Sequence, residues 1–271
     1  MEETTVRKPR KAIKGTRTPK LPIYVNRTMD LKMLDTREGT AFVVEFMDFQ
    51  TQFMKLNKGI AYHIDGPDNP FRRYWEYWWT TKYMKVRQFK GTNILEAGCG
   101  NAIFQFFLLH IYKNVEVMAI DDGSQSPNFE NYCSKAVVPL GFADRYDCEK
   151  TDIRKMSILD DEIFEHIFCI SVIEHIPEDE QALAELCRVL APGGTMGLTF
   201  DFHKDEFPER KDRLYTLKDI ERLVRKAKEC GVSLMYNSKF NDMTDWDNPP
   251  VRLGEPPDHN YNFGSLFFTK K

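Results

Sequence analysis

Apolar runs and helical stretches alternate along the chain from residue 93 onwards. Each short apolar run is bounded by turn-forming or charged residues, which is typical of strands buried within a sheet. The pattern predicts strands at residues 94–97, 115–120, 145–148, 166–171, 195–200, 232–236 and 264–269. The third of these segments is weak, because few of its residues are apolar.

Three helices are predicted between these strands from apolar residues at helical spacing. The first covers residues 102–112. The second opens after Pro177 with three acidic residues in its first turn, where carboxylates favour the positive end of the helix dipole. It stops at the turn formed by residues 192–194, Pro-Gly-Gly. The third begins with the capping-box-like pair Thr216 and Asp219, and Gly231 ends it.

Strands that alternate with helices imply a mostly parallel sheet with right-handed crossovers. No helical pattern separates the last two strands, so we expect them to pair antiparallel as a hairpin. The predicted fold class is therefore α/β, with a Rossmann-like seven-stranded, mostly parallel sheet, an antiparallel C-terminal hairpin and an N-terminal helical cap.

The residues before the sheet suggest two further segments. Residues 21–90 are rich in aromatic and basic side chains, and Phe42, Phe46 and Phe49 fall at helical spacing. We expect a helical cap or lid there, with a turn-forming loop at residues 63–70. Residues 1–20 carry seven Lys or Arg and two Glu without an apolar pattern, which predicts a disordered basic tail. Residues 91–271 are then the ligand-binding domain.

Composition excludes several classes of protein. Hydrophobic residues make up 42% of the chain and charged residues 29%, and no apolar run approaches the roughly 18 residues of a membrane span. The first 20 residues lack the apolar stretch of a secretory signal, so we expect a cytoplasmic protein. The six cysteines form no Cys-x-x-Cys pair and are expected to be reduced structural thiols without a zinc site.

A glycine elbow follows the first predicted strand. Gly98 permits a tight turn there, and Gly100 removes a side chain where a ligand approaches the backbone at the start of a helix. Asp121 and Asp122 stand at the end of the second strand. A carboxylate in that position can accept two hydrogen bonds from ribose hydroxyls, so the pattern predicts a nucleotide site.

The residues around the elbow also favour one kind of nucleotide. A dinucleotide fingerprint needs a third glycine three positions beyond Gly100, where this chain has Ile103. Glu96 lies two positions before the first glycine. A carboxylate there repels a pyrophosphate and attracts the methionine ammonium group of S-adenosylmethionine (SAM), so we expect SAM as the cofactor.

Over residues 90–271 the chain resembles the class I SAM-dependent methyltransferases in five motifs. They are residues 95–101 (L-E-A-G-C-G-N), the acid after Ile120, residues 151–153 (T-D-I), residues 170–176 (I-S-V-I-E-H-I) and residues 190–194 (L-A-P-G-G). The resemblance implies a set of residues around the cofactor: Gly98, Gly100, Asp121, Asp152 and Ile153. By the same analogy, Glu96 orients the glycine turn or the amino group, and Ser171 lies over the methionine end.

A short segment before the first predicted strand carries a second resemblance. The R-x-x-E-Y element formed by Arg73, Glu76 and Tyr77 resembles one found in methyltransferases of polysaccharide and glycoconjugate gene clusters. It implies that these side chains close over SAM. The tryptophans beside them fit two interpretations, stacking on a sugar or packing the helical cap against the sheet.

Candidate catalytic residues follow the fourth and fifth strands. Glu174 and His175 lie just past the fourth strand and His203 just past the fifth, at the sheet edge where open α/β sheets bind ligands. A histidine there can act as a general base, the two histidines with Glu174 can form a divalent metal site, or the pair Glu174-His175 can be structural. Related O-methyltransferases hold a divalent ion with an E-x-x-E-H motif, but Ser171 replaces the first glutamate here. We therefore predict no metal ligand.

These observations lead to a first hypothesis and two alternatives. The first is methyl transfer from SAM to a hydroxyl group of a small molecule or sugar. The second is an RNA methyltransferase, suggested by the basic tail and the Glu174-His175 pair. Beyond residue 20, however, the chain has 31 basic and 39 acidic residues, so a nucleic-acid partner is not expected. The third is a non-catalytic scaffold protein, which the intact elbow and Asp121 argue against.

Overall fold

The computed structural model describes residues 24–60, 70–206, 213–236, 239–246 and 261–271. The predicted basic tail and most of the predicted loop at residues 63–70 lie outside these residues. Within them the chain forms seven strands: β1 (Thr92–Ala97), β2 (Val115–Asp121), β3 (Tyr146–Lys150), β4 (Phe164–Ile170), β5 (Leu190–Phe202), β6 (Val232–Leu234) and β7 (Asn262–Lys270). It also forms six α-helices: α1 (Arg37–Leu56), α2 (Pro70–Tyr83), α3 (Phe104–Ile111), α4 (Phe129–Leu140), α5 (Asp179–Val189) and α6 (Leu217–Glu229).

The strands form one sheet in the order β3-β2-β1-β4-β5-β7-β6. The pairs among β1 to β5 are parallel, whereas β7 runs antiparallel to both of its neighbours, β5 and β6. This confirms the predicted seven-stranded sheet and its antiparallel C-terminal pair. The order reverses between β1 and β4, which is where sheets of this kind bind ligands.

Alternate residues of each strand pack on opposite faces of the sheet, and each face has its own hydrophobic core. Ile94 of β1 points into a core shared with α1, α2, α3 and α4, whereas Leu95 points into a core shared with α5 and α6. The helices that precede the sheet therefore share a core with α3 and α4. The three tryptophans of α2 are buried in that core: Trp75, Trp78 and Trp79. This agrees with the interpretation that they pack the helical cap against the sheet.

Three details of the fold differ from the sequence-based expectation. Helix α4 was not predicted between β2 and β3. Strand β5 begins at Leu190, before the predicted Pro-Gly-Gly turn, because Leu190 pairs with Phe164 ahead of a shift in register. Strand β6 is shorter than predicted because Tyr236, with a φ of 64°, leaves the extended conformation.

The chain before α1 also forms sheet-like contacts that the sequence did not indicate. Arg27 and Met29 exchange backbone hydrogen bonds with β7, from Ser265 N to Arg27 O at 2.9 Å and from Met29 N to Phe263 O at 2.8 Å. Residues 25–29 thus run beside β7 and are mostly buried. None of the helices in the described residues is both long and apolar enough to cross a membrane.

Candidate active site

A cavity of about 330 Å³ opens at the carboxyl ends of the parallel strands. Its volume falls in the range of about 300–1,000 Å³ that is usual for small-molecule sites. All the residues predicted to contact the cofactor line it: Arg73, Tyr77, Glu96, Gly98, Gly100, Asp121, Asp122, Asp152, Ile153 and Ser171. The structure thus brings these residues to one place, and their contacts with a cofactor stay predictions.

The elbow after β1 is fixed by backbone contacts with β2. The N–H groups of Gly98 and Cys99 both donate to Ile120 O, at 2.8 and 3.0 Å. Gly98 has a φ of 77°, and a Cβ atom there would overlap the side chain of Val172. Glycine is therefore required at position 98 by the loop that follows β4, a contact that the sequence alone did not reveal.

The Asp121 carboxylate is turned towards the elbow. Its Oδ2 accepts a hydrogen bond from Gly100 N at 2.9 Å, and its Oδ1 accepts one from Gly123 N at 2.8 Å. Burial raises the pKa of this carboxyl, and the two N–H groups oppose that shift. Each oxygen keeps a further lone pair, so the group can still accept hydrogen bonds from the two hydroxyls of a ribose. Its neighbour Asp122 caps the following turn by accepting from Ser124 N.

Glu96 supplies a second carboxyl group to the cavity. The residue is buried, and among the described residues its Oε2 atom has no hydrogen-bond partner. Burial raises the pKa of this carboxyl well above its ordinary value, and the charge of Arg73 opposes the shift. A buried acceptor without a donor is costly, and a ligand ammonium group would satisfy it. The residues present therefore fit the amino-acid end of SAM.

Asp152 and Ile153 follow β3 and form the opposite end of the cavity. Asp152 is held by Arg154, whose Nε and NH2 groups donate to the carboxylate at 3.0 and 2.7 Å. This contact lowers the pKa of the Asp152 carboxyl. Ile153 is buried and offers an apolar surface against which a flat ring can pack.

Helix α2 closes the cavity from the side of β4. Arg73 NH1 donates to Glu76 Oε2 at 3.0 Å, and the Tyr77 ring stacks on Phe104 with centroids 4.2 Å apart. Glu76 Oε1 accepts from the hydroxyl groups of Ser171 at 2.7 Å and Thr199 at 2.5 Å. The sequence placed Glu76 near the cofactor, but its contact with Thr199, 123 positions away, requires the folded sheet.

Of the three predicted catalytic residues, only His175 lines the cavity. His175 is exposed and lines the cavity. Glu174 is buried outside the lining, where Oε1 accepts from Asp201 N at 3.3 Å and Oε2 has no partner among the described residues. His203 also lies outside the lining, with Nδ1 accepting from Asp205 N at 2.9 Å and its ring against Trp246. Burial lowers the pKa of His203.

The loop after β2 adds lining residues that the sequence analysis passed over, Ser124, Gln125 and Ser126. Their signal was the short polar run that directly follows the ribose-type acid. In the part of the chain that the structure describes, no group of three or more His, Cys, Asp or Glu side chains could hold a metal ion.

The sheet order, the elbow after β1 and the carboxylate after β2 define a nucleotide-binding protein with a Rossmann-like fold. Within that class, residues 95–198 match a family model described as "Methyltransferase domain". That segment is therefore similar to a methyltransferase domain, as the motifs predicted, and SAM is the cofactor of the class I SAM-dependent methyltransferases.

Curated proteins of similar sequence are distant and longer. The chain is 29% identical over 135 residues to an uncharacterized protein of a Synechococcus strain, covering 49% of this chain and 31% of the relative. It is 23% identical over 192 residues to a sterol 24-C-methyltransferase of Yarrowia lipolytica, covering 62% and 50%. The chain thus spans no more than about half the length of either relative.

Solved structures of similar fold have lower sequence identity. The [4+2]-cyclase SpnF matches with a TM-score of 0.59 at 16% identity, covering 84% of this chain and 95% of that one. A putative sarcosine dimethylglycine methyltransferase from Galdieria sulphuraria matches with a TM-score of 0.57 at 15% identity, covering 84% and 99%. These similarities establish the fold alone.

Proposed function

We propose that the protein transfers the methyl group of SAM to a hydroxyl group of a small molecule or sugar, with His175 as the general base. The observation that carries the proposal is the single cavity that joins Asp121, Glu96 and His175 across the ends of β2, β1 and β4. One group in it can hold a ribose, one can hold an ammonium group, and one can remove a proton.

For methyl transfer from SAM, the protein mainly has to position the reactants. The bound cofactor supplies a methyl group on a sulfonium leaving group, so the donor needs no activation. Asp121 binds the ribose and Glu96 the amino-acid end of the cofactor, and α2 excludes water on one side of the cavity. His175 then takes the proton of the attacking hydroxyl, a task for which an imidazole exposed in the cavity is placed.

The comparisons suggest a second candidate acceptor. The sterol 24-C-methyltransferase of Yarrowia lipolytica is named for transfer to carbon, which favours a carbon acceptor as the alternative. The neighbour SpnF is named as a cyclase, so this fold also serves other reactions. The choice between a hydroxyl and a carbon acceptor therefore depends on whether His175 acts as a general base.

Calorimetric titration with SAM tests the cofactor site. We expect wild-type protein to bind, and Asp121→Asn to bind at least about tenfold more weakly, because an amide cannot accept from both backbone N–H groups and the ribose hydroxyls. Glu116→Gln is the matched control, since Glu116 is an exposed carboxylate on β2 outside the cavity lining, and it should change affinity less than about twofold. Wild-type protein that does not bind SAM contradicts the proposed function.

The role of His175 is tested with methyl-labelled SAM and a panel of hydroxylated sugars and small molecules. For the acceptor found, His175→Ala should lower kcat by about 10²-fold or more, the usual contribution of a general base, with SAM affinity nearly unchanged. His203→Ala is the matched control, because the His203 ring lies outside the cavity lining. Full turnover in His175→Ala would exclude His175 as the base and favour an acceptor that needs no proton removal.

A further inference from the structure

Helix α2 lies outside the segment matched by the family model, yet it places a carboxylate at the end of β4. Glu76 is completely buried, with 0% of its surface exposed. It accepts hydrogen bonds from Ser171, Thr199 and Arg73, at 2.7, 2.5 and 3.0 Å. One side chain of α2 therefore connects the ends of β4 and β5 with the cavity wall.

These contacts fix the direction of each hydrogen bond. A carboxylate oxygen only accepts, so the hydroxyl hydrogens of Ser171 and Thr199 both point at Glu76 Oε1. Thr199 Oγ1 in turn accepts from Ser171 N at 3.1 Å. Ser171 lines the cavity, and with its hydrogen committed it offers only oxygen lone pairs to a ligand. The subsite is thereby specific for a hydrogen-bond donor.

Ser171 has a strained backbone conformation, which its hydrogen bonds to neighbouring elements must stabilise. Ser171 has a φ of 50°, in the left-handed region that residues other than glycine rarely adopt. Its N–H also donates to Thr199 O at 3.1 Å, so contacts to β5 and α2 together hold the strained residue in place. Backbone strain of this kind tends to occur at ligand-binding positions.

The sheet order indicates which part of the cofactor would meet Ser171. Asp152 follows β3, Asp121 is the last residue of β2 and Ser171 follows β4, so a ligand with its ribose at Asp121 runs across the strand ends from β3 towards β4. Of the two possible directions, the one with the amino-acid part at the β4 end and the base at the β3 end places the ammonium group beside acceptor atoms. At the β4 end, Glu96 Oε2, which has no hydrogen-bond partner among the described residues, and the lone pairs of Ser171 are both acceptors for an ammonium group.

We propose that Glu76 is a positioning residue, which fixes Ser171 as a hydrogen-bond acceptor for the amino-acid end of the cofactor and thereby couples α2 to the site. The proposal rests on the proposed function insofar as it requires SAM as the ligand. It assigns to α2 a part in selecting the ligand as well as a part in packing.

Two ligands that differ only at the amino-acid end test this role. S-adenosylhomocysteine carries the amino acid, whereas 5′-methylthioadenosine carries the same base and ribose without it. In Glu76→Gln the amide NH2 faces either Arg73 or the two hydroxyls, so one of those contacts is lost. We expect Glu76→Gln to weaken S-adenosylhomocysteine about tenfold, and 5′-methylthioadenosine less than twofold.

Ser171→Gly provides an independent variant, because it removes the hydroxyl and also relieves the backbone strain. It should fold and show the same selective loss. Thr199→Ser should retain the affinity for S-adenosylhomocysteine, since it keeps the hydroxyl that Glu76 accepts. Glu38→Gln, an exposed carboxylate on α1 that pairs with Lys82, is the control and should change neither affinity.

The outcomes separate the two proposals. Equal weakening of both ligands in Glu76→Gln and Ser171→Gly would indicate a collapsed cavity, and unchanged affinity for both would indicate no role; either result overturns the positioning role. Wild-type protein that binds neither ligand overturns the proposed function itself. A loss confined to S-adenosylhomocysteine supports the inference.

Discussion

Buried carboxyl groups concentrate where β1, β4 and β5 end. Glu76, Glu96, Glu174 and Asp201 are all buried there, and Arg73 is the cation that opposes the pKa shifts of Glu96 and Glu174. Two of these groups, Glu96 and Glu174, each have a buried oxygen without a partner among the described residues. At the scale of single residues, the site is therefore built to accept hydrogen bonds from a ligand that carries donors and positive charge.

Glu174 provides a pH-dependent test of this burial. Burial, and then the charge of Asp201, raises the pKa of Glu174 well above its ordinary value. A carboxyl with a raised folded-state pKa contributes stability below its unfolded pKa of about 4.3, and loses that contribution as pH rises through the folded-state pKa. Gln does not titrate. The free energy of unfolding of Glu174→Gln, relative to wild type, should therefore increase between pH 5 and pH 8.

Urea denaturation at both pH values measures this difference. Glu149→Gln, which changes an exposed carboxylate on β3, is the control and should show no comparable change between the two pH values. A stability difference for Glu174→Gln that is the same at pH 5 and pH 8 would contradict the shifted ionisation.

At the scale of secondary-structure elements, the sequence predicted the strands well because buried parallel strands are short apolar runs with clear boundaries. Helix α4 was missed although its buried residues recur at helical spacing: Phe129, Tyr132, Cys133, Ala136 and Val137. Pro139 inside the helix and the polar residues before it favoured a loop instead. The start of β5 was misplaced because Pro-Gly-Gly normally ends an element, whereas here the strand continues through it.

The candidate site likewise has parts that could be predicted from the sequence and parts that could not. The elbow and the acid after β2 are local patterns, so they could be read from the sequence. Glycine is needed at position 98 because the side chain of Val172 leaves no room for a Cβ atom, and the orientation of Ser171 is fixed by Glu76 and Thr199. These contacts join elements that are distant along the chain, and no local pattern encodes them. The separation of His175 from His203 likewise depends on how β4 and β5 end.

At the scale of the whole molecule, the residues before α1 and strand β7 stabilise each other. Asn26 is completely buried, and its side chain joins three segments. Its Oδ1 accepts from Phe267 N at 2.7 Å and its Nδ2 donates to Met235 O at 2.9 Å. The side chain therefore takes the place of backbone partners that the sheet does not supply.

Removing this side chain should be costly. We expect Asn26→Ala to lower the free energy of unfolding by about 2–3 kcal/mol, because it leaves a buried N–H and a carbonyl without their partner. Urea denaturation followed by circular dichroism measures the change. Asn114→Ala, which removes an exposed side chain with a single contact to Gln88 O, is the matched control and should cost less than about 0.5 kcal/mol. Similar values for the two variants would contradict the role of Asn26.

The position of β7 between β5 and β6 has a consequence for how the protein misfolds. Among the described strands, β6 joins the sheet only through β7, although it comes earlier in the chain. An intermediate that lacks β7 therefore exposes the long edge of β5, whose unpaired backbone groups and apolar side chains are a template for pairing between molecules. Substitutions that loosen β7 should promote aggregation before they reduce ligand binding, because the cavity lies on the other half of the sheet.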